Sequence, residues 1–113
     1  MELNVIDSGG AWTEVALIGR ADSAGIARVE TRFYAVVTHA KGPALVDLSG
    51  VPFLASLGIR MLVAAAKMLN KRGAKLILHS APELVASTLR DAGIDAMIPL
   101  APERVAAIGL ATA

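Results

Sequence analysis

The sequence predicts an open α/β fold: a mostly parallel mixed sheet of about five strands carrying about four helices. Three observations predict it. Short apolar runs of strand length alternate with longer segments of helical period. Hydrophobic residues make up 55% of the 113 residues and aromatics only 4%, so the core is built from Ala, Val, Leu, Ile and Met, as in helices packed on a sheet. Gly or Pro punctuates most of the junctions. A chain of this length buries about two-thirds of its unfolded surface, enough for one core, and no linker, repeat or low-complexity segment divides it. The expectation is one domain over residues 1–113.

The elements follow in order. Leu3 and Val5, then Trp12, Glu14, Val15 and Leu17, fit two short strands interrupted by the turn signal Asp7-Ser8-Gly9-Gly10, an opening hairpin. After Gly19, Asp22-Ser23 offers helix caps, and Ile26, Val29, Phe33, Val36 and Val37 recur at helical spacing to about Ala40. Lys41-Gly42-Pro43 ends that helix. Ala44-Leu45-Val46-Asp47-Leu48 suits a central strand buried on both faces. A long helix is expected from about Ser56 to Arg72, with Ile59, Leu62, Val63, Ala66 and Leu69 on one face and Gly73 as its stop. Lys75-Leu76-Ile77-Leu78-His79 reads as another buried strand, and Ser80-Ala81-Pro82-Glu83 as a capping box opening a third helix to Gly93. Ala96-Met97-Ile98-Pro99-Leu100 supplies a last short strand, and Pro102-Glu103 starts a C-terminal helix. Right-handed crossovers between such strands make the sheet mostly parallel.

Composition narrows the function classes. Eleven Lys and Arg balance ten Asp and Glu, with the signs mixed, so no electrostatic footprint for nucleic acid or an anionic membrane stands out. Without cysteine there are no disulfides, thiolate metal sites or Cys nucleophiles. Met1-Glu2-Leu3-Asn4-Val5 places an acid where a signal peptide has a basic region, and no apolar run approaches bilayer-spanning length. The expectation is a soluble, cytoplasmic protein without membrane insertion. No Gly-rich phosphate loop, nucleophile elbow or metal-ligand spacing is present, so neither an enzyme nor a cofactor is expected. His39 and His79 are too scattered for a metal site. Lys67, Lys71, Arg72 and Lys75 complement the end of the long helix.

In an open α/β sheet the functional loops gather at the carboxyl ends of the parallel strands. Three are expected to share one edge: Arg20-Ala21-Asp22, Phe53-Leu54-Ala55-Ser56 and His79-Ser80. Asp22, Ser56 and His79 could form a triad only if His79 reached Ser56 across that edge. Ser56 falls at or just before the start of the long helix, where free backbone N–H groups and the helix dipole favour negative charge. Its simplest role is an N-cap, as is that of Asp22. Asp47 fits a strand residue bonded to nearby backbone. Gly58, just inside the long helix, costs helix propensity, which points to close backbone approach or a poorly optimised first turn.

The stretch Val46-Asp47-Leu48-Ser49-Gly50-Val51-Pro52-Phe53-Leu54-Ala55-Ser56-Leu57-Gly58-Ile59 resembles the signature of STAS domains in bacterial anti-sigma-factor antagonists, where a strand and short loop lead to Asp-Ser-Ser/Thr-Gly-Leu at a helix start. Leu17-Ile18-Gly19-Arg20-Ala21-Asp22 is similar to that family's Leu-Thr-Gly-Glu-Leu-Asp, and Leu89-Arg90-Asp91-Ala92-Gly93-Ile94 to its late helix ending in Gly-Leu. The resemblance spans nearly the whole chain. It implies a STAS fold and a binding module that frees a sigma factor by engaging an anti-sigma factor or serine kinase of ATPase fold. It also implies that Ser56 is the phosphorylated residue, with Arg20, Asp22, Ala55, Ser56, Leu57 and Gly58 on the partner-binding surface. Two positions depart from the pattern: the acid before the serine is Ala55 and the second hydroxyl residue is Leu57. A more apolar loop of this kind fits a second implication of the resemblance, a constitutive STAS subunit docked on a transport ATPase, as in phospholipid-transport ABC systems.

Overall fold

In the computed structural model, which describes residues 1–7 and 10–113, five strands form one sheet in the order β1-β2-β3-β4-β5. The Ser8-Gly9 part of the expected hairpin turn lies outside the described residues. β1 (Glu2–Asp7) runs antiparallel to β2 (Thr13–Ile18), while β3 (Ala44–Gly50), β4 (Leu76–His79) and β5 (Leu100–Ala101) join in parallel. The expected central strand, Ala44–Leu48, is the middle one. Its Leu45, Val46 and Leu48 are almost wholly buried, as a strand covered on both faces requires.

Side chains alternate across the sheet, and each set meets its own layer. Val15, Leu17, Val46, Leu48, Leu76 and Leu78 point to one face, packed by Ile26, Val29, Phe33 and Val37 of α1 (Ser23–Thr38) and by Met61, Leu62, Ala65, Ala66 and Leu69 of α2 (Ser56–Asn70). Val85 and Leu89 of α3 (Glu83–Asp91) close that layer. The opposite face presents Leu45, Ile77 and Ala101, covered by α4 (Arg104–Thr112) through Ala107.

Three expectations need correction. The buried stripe of α2 is centred on Leu62, Ala65, Ala66 and Leu69, with Ile59 and Val63 at its margin; the alanines, neutral in an apolar pattern, let the helix sit close to the sheet. The capping box does not form, because Ser80 adopts φ 61° and turns its hydroxyl onto the His79 ring, so α3 begins at Glu83 with no side-chain cap. The last strand is shorter than Ala96–Leu100. A 3₁₀ turn occupies Ile94–Ala96 after Gly93 at φ 74°, and pairing starts only with the Pro99 carbonyl, which accepts from Leu78 at 2.9 Å. Proline has no N–H to contribute to the ladder before that point.

Candidate functional site

β2 is followed by Gly19 at φ 110°, whose N–H donates to the Gly50 carbonyl at 2.8 Å. The chain then runs beside the segment leading into α2. Ala21 N–H donates to Phe53 at 2.9 Å, and Ala55 N–H donates back to Ala21 at 3.0 Å. This two-bond zipper places Arg20 and Asp22 alongside Phe53-Leu54-Ala55, immediately before Ser56. Two of the three expected loops therefore share one edge.

Asp22 is the N-cap of α1, its Oδ1 accepting from Gly25 N–H at 2.9 Å. That bond is the largest influence on its carboxyl and holds it below the usual range, opposed by burial and aided to a lesser degree by the Arg20 charge. Position 25 must be glycine, since a Cβ there would collide with the Arg20 carbonyl. Arg20 Nε stands 3.6 Å from Asp22 Oδ2, and its guanidinium lies 4.3 Å over the Phe53 ring. Both charged side chains are well exposed, so the ion pair itself contributes little, and the aromatic face does much of the work of orienting Arg20.

Ser56 is the first residue of α2 and is exposed; Ala55 precedes it as N-cap, and no side chain caps this terminus. The serine is thus not spent as a cap, correcting the simplest sequence reading. No acid stands in the first turn to compete with an added anion. Leu57 is 38% exposed beside it. Gly58 is buried: a Cβ there would fall 2.5 Å from Leu54 Cδ1 and 3.2 Å from the Ala21 Cβ, so the glycine lets α2 press onto the zipper. Its cost in helix propensity is repaid by position, the close-approach alternative of the sequence reading.

His79 does not join this edge. Its Nδ1 meets Ser80 Oγ at 2.7 Å and its Nε2 meets Glu14 Oε2 at 3.0 Å, so neither ring nitrogen addresses Ser56 and the imagined triad is absent. Asp47 accepts from Ser49 N–H at 2.8 Å, as expected of a strand acid bonded to local backbone. His39 is exposed, with Nδ1 on the Ala35 carbonyl. Arg72 reaches across to the carbonyls of Val37 and Ala40 and so ties α2 to the end of α1, a role beyond solvation of its own helix end. Among the described residues no group of three His, Cys, Asp or Glu could hold a metal, and no helix is long and apolar enough to cross a membrane.

One feature escaped the sequence reading. Glu14 and His79, each 1% exposed, form a buried pair that Arg104 of α4 closes from outside. The available signal was a carboxylate inside an apolar strand and a histidine ending another.

Comparison with known proteins agrees with this architecture. An anti-sigma factor antagonist from Mycobacterium paratuberculosis is 22% identical and superposes with a TM-score of 0.87 over 99% of this chain and 96% of that one. An anti-sigma-factor antagonist (STAS) domain protein from Planctomyces limnophilus gives 21% identity and 0.85, with 98% of each chain covered. The STAS domain of a SulP transporter from Vibrio cholerae is 27% identical, with a TM-score of 0.69 over 86% of this chain and 77% of that one. No curated protein matches the chain. The family model described as "Mlab, STAS domain" matches residues 5–100, from within β1 to the first residue of β5, taking in the zipper and Ser56: the chain belongs to the STAS domain family.

Proposed function

We propose that this STAS domain is a regulatory binding module of the anti-sigma-factor-antagonist type, controlled by reversible phosphorylation of Ser56. The observation that carries the reading is the position of Ser56: exposed, first in α2, uncommitted to capping, and next to the Arg20–Asp22 loop. Two neighbours of high structural similarity carry the antagonist description. The partner is an anti-sigma factor or serine kinase of ATPase fold, and it docks on Arg20, Asp22, Ala55, Ser56, Leu57 and Gly58. The domain works by binding and performs no catalysis, and its setting is cytoplasmic.

The physics needs one charge. A phosphoserine brings about −1.5 to −2 charges. Left without a cationic partner in a desolvated contact it costs about 3–5 kcal/mol, which weakens binding by about two to four orders of magnitude. Ser56 acts as a substrate hydroxyl for an external kinase, so no general base is required of this chain.

A second reading is a constitutive STAS subunit of a larger complex, such as one docked on a transport ATPase. It is favoured by the apolar character of Ala55 and the exposed Leu57, and by the similarity to a transporter STAS domain. The tagged chain and its Ser56→Asp variant, pulled down from the native host, separate the two. Recovery of an anti-sigma kinase by wild type alone supports the switch. Recovery of transport components by both forms replaces it.

A further inference from the structure

The face of the sheet opposite α1 and α2 holds a charge cluster that the partner-binding edge does not use. Glu14 on β2 and His79 on β4 are both 1% exposed and meet at 3.0 Å. Arg104, the first residue of α4, donates to Glu14 from Nε at 2.9 and 3.1 Å and approaches it through Nη2 at 2.8 Å, while half of its own side chain stays in solvent. Ser80 Oγ occupies the remaining His79 nitrogen. The other charged groups acting here are Asp47 on β3, the strand neighbour of His79, and Asp7 at the end of β1; both add negative potential at Arg104.

This cluster is the polar part of what fastens α4. Arg104 is the helix's only charged residue, no side chain caps its start, and Ala107 is its one fully buried residue. The apolar grip centres on Ala107, set against Leu45, Ile77 and Ala101, with the partly buried Ala106, Ile108 and Ala111 packed at its margin. Trp12, the only tryptophan in the chain, packs against the same cluster.

Proton counting shows what Arg104 does. With the guanidinium present, the Glu14 carboxylate is balanced, and a neutral His79 satisfies both neighbours: Nε2–H donates to Glu14 and Nδ1 accepts from the Ser80 hydroxyl. Without it, a buried carboxylate remains with no fixed positive charge, and the pair must hold one extra proton to stay buried. Which of the two residues carries that proton is immaterial to the linkage.

We infer that α4 is a detachable strap over the second sheet face, and that Arg104 is the lock that frees its docking from dependence on a proton. Removing Arg104 turns the strap into a pH-operated one, docked in acid and released as the pH rises, which bares the Leu45–Ile77–Ala101 strip. The sign follows from linkage: in the variant the docked state binds one proton more than the released state, so docking weakens as the pH rises.

The test uses the full chain as wild type, Arg104→Gln and Arg104→Lys. Amide-exchange protection of α4, corrected for intrinsic rates, is followed with Trp12 emission from about pH 5.5 to 8.5, a range that brackets the ordinary value of a free histidine. In Arg104→Gln, α4 protection should fall about tenfold per pH unit above the histidine range, with a matching change in Trp12 emission, while α2 protection holds. Wild type and Arg104→Lys should be flat. A flat Arg104→Gln profile, an α4 unprotected at every pH, a simultaneous loss in α2, or an Arg104→Lys that behaves like Gln would each overturn the inference.

Discussion

The two faces of the sheet are held by different physics. Under α1, α2 and α3 lies a continuous apolar layer in which Phe33, Leu62, Leu69, Leu76, Leu78 and Leu89 are at most 1% exposed. Under α4 the apolar layer is small, and the space is shared with a buried carboxylate, a histidine and an arginine. Apolar burial is non-directional and grows with area, so the first face resists opening. A buried charged cluster holds only while every member is in place. The first face is therefore the apolar scaffold behind the Ser56 edge, and the second is the face on which the inferred strap would open.

Phe33→Ala should break the scaffold most severely, by about 3–5 kcal/mol, because it empties the largest fully buried apolar side chain; equilibrium denaturation measures it. Glu14→Gln should cost about 1–3 kcal/mol, since charge-assisted bonds to Arg104 and His79 are lost. Most of that loss should register as exchange in α4, leaving α1 and α2 protected. A global loss of cooperativity would erase the contrast between the faces. Gly58→Ala should cost about 1–3 kcal/mol through overpacking against Leu54 and Ala21. Amide shifts in that variant should centre on residues 20–22 and 53–58, which would sharpen the link between scaffold and edge.

The smallest effect is expected from Asp22→Ala. The folded carboxyl titrates below its ordinary value, chiefly because of the Gly25 N–H, so its stabilising contribution is present above the unfolded value near 3.9 and is lost as pH falls through the lower folded one. The gap in Tm between wild type and Asp22→Ala should be constant near neutral pH and close in acid. A gap that persists at the lowest pH would show that Asp22 acts through packing instead.

These contrasts also explain what the sequence could and could not reveal. Strands such as Ala44–Leu48 and the helix under Phe33 were legible because periodicity and propensity agree there with tertiary packing. The Ser56 edge was legible through a strand-to-helix loop and its resemblance. What stayed hidden depends on through-space partners. Ser80 looks like a cap until the adjacent His79 ring claims its hydroxyl. Glu14 and Arg104, separated by 90 positions, meet only because α4 folds back over β2, β3 and β4. The zipper from Ala21 to Phe53 and Ala55 is made of backbone bonds, which no side-chain pattern announces.

The central claim is that charge at Ser56 decides partner binding, and calorimetric titration of a captured partner with purified unmodified and Ser56-phosphorylated chain tests it most directly. The account predicts an affinity about two to four orders of magnitude lower for the phosphorylated form. Equal affinities for the two forms would contradict it.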